Sequence, residues 1–172
     1  MLHPSLRFAT DERILQDCRW EAFRASGPGG QKRNKTSSAI RLTHAPTGIA
    51  AIANESRSQA ANRAAALRRL RHRMMIELRE PIDPAGFAPA PWFAKLCPHG
   101  RLSVPGRSPL YLPAGGLVLD MLAVCDWSVS VTAEHLGLST GNLVRFLQQD
   151  EKILAQVNAM RARVKLKALG SD

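Results

Sequence analysis

The residues best placed to do chemistry lie in "RASGPGGQKRNKTSSAIRLTHAPTGIAA", residues 24–51. Gly27, Gly29 and Gly30, with Pro28, come directly before Gln31, and Lys32, Arg33, Asn34 and Lys35 follow it. Glycines at 29 and 30 remove side chains, so the main chain can approach a ligand closely and adopt positive φ. The next backbone N–H can then face a developing negative charge, as in an oxyanion hole. Gln31 is a poor nucleophile and no general base, but its amide can orient a water, and the flanking cations can bind phosphates. Three other readings of the glycines stand beside this one. They could form a phosphate loop, a plain turn, or a basic arm that tracks RNA without chemistry. The phosphate-loop reading fits least, because "GPGGQKRNKTS" matches neither GxGxxG nor GxxxxGK[ST].

The elements that must hold these residues show in the surrounding pattern. "RWEAFRASG" reads as a strand running into the glycine loop. "SSAIRLTHAPTGIAAIANE" reads as a hairpin whose tip, 45–48, has Pro46 and Gly48 set for a tight turn. "RSQAANRAAALRRLRHRMMIELR" reads as a strong helix with Ala64, Leu67, Leu70, Met74 and Leu78 on one apolar stripe. No internal repeat is visible.

Charge points to the partner. The chain has 172 residues and a net charge of +10. Residues 24–79 carry twelve cations against Glu55 and Glu77, so this segment alone matches the whole excess. The expected partner is a polyanion. A membrane is not expected, since no segment approaches ~20 uninterrupted apolar residues. The N-terminus lacks the apolar core of a signal peptide. Cys18, Cys97 and Cys125 form no CxxC pair, so reduced structural thiols in a cytoplasmic protein are expected, with neither a zinc site nor a disulfide framework.

At this point a resemblance enters. "SGPGGQKRNKTSSAIRLTHAPTG" followed by "ESRSQAANRAAALRRL" resembles the GGQ catalytic domain of class I peptide chain release factors. Their small relatives, the codon-independent peptidyl-tRNA hydrolases of ribosome rescue, share it. The resemblance covers about residues 18–80 and rests on Gly29-Gly30-Gln31, Asn34-Lys35-Thr36, Ala39-Ile40-Arg41, Pro46-Thr47-Gly48, Arg57-Ser58-Gln59 and Asn62.

It implies ribosome-dependent hydrolysis of the ester joining a nascent peptide to tRNA, in the peptidyl-transferase centre of the large subunit. By position, Gly29 and Gly30 let the loop enter. The Gln31 N–H stabilises the transition state or the leaving ribose oxygen, and its side chain orients the water. The family's glutamine is a methylation target, so the resemblance extends that to Gln31. Lys32, Arg33, Asn34, Lys35, Arg57 and Gln59 are implied to contact ribosomal RNA or hold the loop. Thr36, Ser58, Asn62 and Arg63 join the same RNA-binding set. Implied partners are the ribosome and peptidyl-tRNA, with a monomer expected and no metal or organic cofactor. Only 30 residues precede Gln31, which leads to an expectation of no stop-codon recognition. The family commonly has His-Val where this chain has Lys32-Arg33. That departure motivates an alternative, a non-catalytic ribosome- or RNA-binding module.

The remaining chain differs in character. Residues 81–116 are rich in Pro and Gly and read as a linker, through which neither helix nor central strand is expected to persist. Trp92, Phe93, Leu110 and Tyr111 suggest that it lies against a surface. "LVLDMLAVCDWS" reads as a helix. "VTAEHLGLSTGNLVRFLQQD" resembles a helix-turn-helix broken at Gly137, with Ser139 or Thr140 as N-cap and Asn142 and Arg145 exposed. A DNA-binding protein is therefore a further alternative. A last helix is expected from about Glu151 to Leu169. His44 and His72 read as surface or hairpin residues rather than catalysts. The expected class is α+β: a GGQ domain over 1–80, with a short sheet and packed helices, the linker over 81–116, and an all-α annex over 117–172.

Overall fold

A computed structural model describes residues 6–24 and 38–170. The class is α+β, and the chain divides into two compact units, Met1–Met74 and Met75–Asp172.

The first unit opens with a 3-10 turn at Leu6–Phe8 and a short helix, α1 (Asp11–Gln16). Thr10 caps α1 by accepting from the Arg13 N–H, and Ile14 is its buried anchor. β1 (Cys18–Phe23), β2 (Ala39–His44) and β3 (Ala50–Ala53) form an antiparallel sheet in the order β1-β2-β3. The β2–β3 hairpin turns where Pro46 and Gly48 place it. Gly48 has φ +70, and its N–H reaches the His44 carbonyl at 2.8 Å. His44 is buried, with Nδ1 2.9 Å from the Thr47 hydroxyl, so it braces the turn from within.

α2 (Gln59–Glu77) packs on one face of this sheet. Its buried positions within the first unit are Asn62, Ala66, Leu67, Leu70 and Met74. Ala64, expected on the stripe, is exposed, and Asn62 takes the top of the stripe instead. Opposite them lie Ile40, Leu42, Ala51 and Ala53, each buried. Completely burying a residue such as Leu42 or Leu70 contributes about 1.5–3 kcal/mol.

The arginines of "RRLRHR" partly stitch this unit together. Arg69 donates to the Ile52 carbonyl at 2.6 Å and pairs with Glu55 at 2.7 Å. Arg73 donates to the Ala50 carbonyl. Both acceptors lie on β3, an edge strand, whose outward carbonyls are thereby satisfied. Arg71 holds the N-terminal segment through the Ala9 carbonyl at 2.7 Å and Asp11 at 2.9 Å.

The second unit has its own core. Phe93 from α3 (Pro91–Ala94), together with Leu102, Val104 and Tyr111, is buried in it. The Pro/Gly-rich stretch thus supplies core residues. α4 (Tyr111–Val124) starts before the expected boundary and runs through Pro113, Gly115 and Gly116. Pro113 is tolerated because it lies in the first turn, where N–H groups have no intrahelical acceptor. A Cβ on Gly115 would stand 3.2 Å from the Met75 sulfur, so this glycine permits close packing. Asp120 is buried on α4 and satisfied by Arg79 Nη1 and the Glu80 N–H, both at 3.1 Å.

α5 (Val129–Leu136) and α6 (Thr140–Gln148) form the expected pair of helices. Gly137 sits at φ +66, and the Leu138 N–H returns to the Ala133 carbonyl at 2.8 Å, closing a Schellman turn. Ser139 caps α6 by accepting from the Asn142 N–H at 3.3 Å. α7 (Glu151–Arg163) is capped by Asp150 and ends earlier than expected. Lys165 adopts φ +60, and residues 166–170 fold back, where Asn158 accepts from the Leu169 N–H at 2.7 Å. Among the described residues no helix is long and apolar enough to cross a membrane.

Candidate functional site

Gly29, Gly30 and Gln31 lie outside the described residues, as do Lys32, Arg33, Asn34, Lys35 and Thr36. The structure does describe the mount that carries them. The segment joins β1 to β2, and its flanks are a paired couple of the sheet, Phe23 opposite Ala39. On the solvent face, Arg41 lies over the Phe23 ring at 5.4 Å and stands across from Glu21, 3.6 Å away. Such exposed pairs contribute little each, about 0–1 kcal/mol, but they tie β1 to β2 next to the motif.

Behind the mount stands Asn62, which is only 1% exposed. Its Nδ2 donates to the carbonyls of Ser38 at 2.6 Å and Ser56 at 2.8 Å, and its Oδ1 accepts from the Ser56 N–H at 2.9 Å. One side chain therefore ties the start of β2, the turn after β3 and the head of α2 into one frame. Asn62, expected in the RNA-binding set, has its amide buried and engaged within the protein.

Ser58 is also occupied locally. Its hydroxyl accepts from the Ala61 N–H at 3.3 Å and its carbonyl from the Asn62 N–H at 3.0 Å, so it caps α2. Arg57, Gln59 and Arg63 are exposed around the same helix start. Arg63 lies over the Trp20 ring at 5.7 Å. Of the basic helix face, Arg69, Arg71 and Arg73 hold backbone or carboxylates within the unit, whereas Arg57, Arg63 and Arg68 have no carboxylate partner among the described residues. Sequence reasoning gave no role to Trp20. Its signal was a large aromatic on a strand otherwise rich in polar and small residues.

The chemistry of the other groups is quiet. Burial pushes the Cys97 thiol up to about 11, and burial also raises Cys18, with Asp17 adding to the rise and Arg63 opposing it. Neither is an activated nucleophile. No group of three metal-ligating side chains occurs among the described residues.

Comparison with known proteins agrees with this frame. Residues 13–83 match the RF-1 domain family. That match takes in 71 of the chain's 172 residues. The chain is 49% identical over 67 residues to peptide chain release factor 1 of Leifsonia xyli, which covers 39% of this chain and 19% of that protein. It is 50% identical over 64 residues to peptide chain release factor 2 of Beutenbergia cavernae, covering 37% and 17%. With peptide chain release factor 1 of Acidiphilium cryptum it shares 54% over 63 residues, covering 37% and 18%. The chain spans under a fifth of the length of these relatives. The matched stretch takes in the whole sheet, α2 and α1 from Arg13 onward, and with them the frame around Asn62.

The helix-turn-helix tells a different story from the one its sequence suggests. In such units the N-terminal residues of the second helix contact bases. Here residues 100–102 bond to that end, although Ser139, Thr140 and Gly141 stay exposed. The Gly100 carbonyl accepts from the Ser139 N–H at 3.3 Å, and Asn142 Oδ1 accepts from the Leu102 N–H at 2.8 Å. Asn142, expected to be exposed, is therefore engaged, and Arg145 is the cation left outward on α6.

Proposed function

We propose that this protein hydrolyses the ester of peptidyl-tRNA on the ribosome and frees the nascent peptide from stalled complexes without reading a stop codon. The observation that carries the reading is the RF-1 domain match over 13–83, which includes Gly29-Gly30-Gln31 between the paired strands β1 and β2. Water attacks the ester carbonyl, the peptide leaves as its carboxylic acid, and the tRNA ribose recovers its hydroxyl. Gly29 and Gly30 admit the main chain to the reacting centre. The Gln31 N–H stabilises the oxyanion or the departing ribose oxygen, and the Gln31 amide orients the water. Lys32, Arg33, Asn34, Lys35, Thr36, Arg57, Gln59 and Arg63 face RNA in this reading, with Asn62 and Ser58 holding the frame. The setting is the cytoplasm, and the chain acts as a monomer.

The test is release of labelled peptide from ribosomes carrying peptidyl-tRNA on mRNA truncated in the decoding site. Wild type is expected to release peptide whether or not a stop codon is present. Gly30→Ala is expected to lose more than Gln31→Ala, because a Cβ obstructs entry of the main chain while alanine keeps the N–H. Equal and negligible losses in both would contradict the mechanism. A second reading, a binding module that keeps the scaffold, is favoured by Lys32-Arg33 in the place of His-Val. Ribosome binding without release would select it.

A further inference from the structure

β1 is an edge strand, and at the opposite edge Arg69 and Arg73 of α2 hold β3. The helix-facing side of β1 is therefore left partly bare. Trp20, which pairs across from the buried Leu42, remains 52% exposed there. Beside it is an open hollow of about 550 Å³, with Leu15, Ile40 and Leu67 among its apolar lining and Gln59 and Arg63 among its polar groups. That size suits a small organic group. Asp11 also borders the hollow, but its carboxylate is 2.9 Å from Arg71. Arg63 has no carboxylate partner among the described residues.

We propose that this hollow binds one nucleotide of single-stranded RNA, its base stacked on Trp20 and its phosphate paired with Arg63. An exposed aromatic beside an uncompensated guanidinium is the pairing that holds splayed bases in single-stranded RNA. Charge complementarity singles out the polyanion: Arg57, Arg63 and Arg68 have no carboxylate partner among the described residues of this unit. An acidic peptide would meet the cations but would not stack on the indole, which is 52% exposed. The inference rests on reading this unit as an RNA-binding surface, not on its hydrolytic chemistry.

The experiment is fluorescence anisotropy of labelled hexa-adenylate RNA titrated with the full chain over a series of salt concentrations. Trp20→Ala is expected to weaken binding about tenfold with the salt slope unchanged, because stacking is lost and no phosphate contact is. Trp20→Phe keeps a π-face and is expected to stay within about threefold. Arg63→Gln is expected to lower the salt slope by about one. Wild-type affinity in Trp20→Ala overturns the proposal. So does a loss in Trp20→Phe as large as in Trp20→Ala, or Trp20-dependent binding of hexaglutamate in place of the RNA. The assay contains no ribosome and no ester. A failure here with peptide release intact removes this inference alone, and failed release with Trp20-dependent RNA binding intact removes the hydrolase reading alone.

Discussion

The side-chain amide of Asn62 donates to the carbonyl of Ser38 at 2.6 Å, joining residues 24 positions apart. The same amide closes on both backbone polar groups of Ser56. Asn62→Ala would leave two carbonyls and one N–H without their partner at a buried point. Unsatisfied buried groups cost about 1–3 kcal/mol each, so a loss of about 3 kcal/mol is expected, read from urea denaturation. Asn62→Asp removes both donors and faces a carboxylate toward two carbonyls, so it should be no better than alanine. A loss under about 0.5 kcal/mol in either variant would show that the frame does not depend on this side chain.

Arg69 and Arg73 make a second test, of the sheet edge. Arg69→Ala removes the bond to the Ile52 carbonyl and the pair with Glu55. Both sites are solvent-exposed, so the expected loss is about 1 kcal/mol. The Glu55 carboxyl is held below its usual range, first by its hydrogen bond from Arg69 and then by backbone hydrogen bonds, so that depression should be smaller in the variant. Because the depressed pKa contributes stability only above the ordinary carboxylate range, the difference between wild type and variant should shrink as pH falls through it. The double variant Arg69→Ala, Arg73→Ala frees two β3 carbonyls and should aggregate faster on light scattering than either single change.

Two glycines at similar φ should respond differently to alanine. Gly137 at φ +66 has open space where a Cβ would go, so Gly137→Ala should cost only the left-handed strain, about 1–2 kcal/mol. Gly100 at φ +68 would place its Cβ 3.2 Å from the Gly137 carbonyl oxygen, a backbone atom. Gly100→Ala should therefore be the more destabilising by thermal denaturation. The reverse order would mean that residues 98–102 do not pack on the α5–α6 turn as described.

Tyr111 offers a pH signature. Burial first, then the nearby Asp150 charge, pushes its phenol up from 10.0 to about 12. A raised pKa means that the folded state keeps the proton longer than the unfolded chain does. Stability is then unaffected by this group below the unfolded pKa and falls as pH rises from about 10 to about 12. Tyr111→Phe should flatten that part of the alkaline unfolding curve. An unchanged curve would show that the phenol is not desolvated.

Much of the fold was legible in the chain because its signals are local. Pro46 and Gly48 set the hairpin tip through their own backbone preferences, and Gly137 and Ser139 broke and restarted the annex helices in the same way. The motif around Gln31 and its family resemblance were legible from residue order. Other features depended on partners far away in sequence. Ala64 and Asn62 exchanged their expected places because α2 is rotated on the sheet by packing, which helical spacing alone does not fix. Residues 81–116 looked like a linker by composition, yet Phe93, Leu102 and Val104 are buried in the core of the second unit.

By itself, then, the sequence determined the charge of the first segment, the order of the three strands and of α2 and α4 to α7, their turns, and the chemistry available around Gln31. These follow from residue type and near-neighbour sterics. Only the tertiary structure decided which polar groups remain available. Asn62 and Asn142 are both amides at the starts of helices, and both looked suited to nucleic acid. Folding brought the Ser38 carbonyl to one and the Leu102 N–H to the other, and each amide closed on its backbone partner. Trp20 went the other way. It sits on the helix-facing side of the sheet, yet the edge position of β1 left its ring open to solvent, because α2 reaches only part of that face.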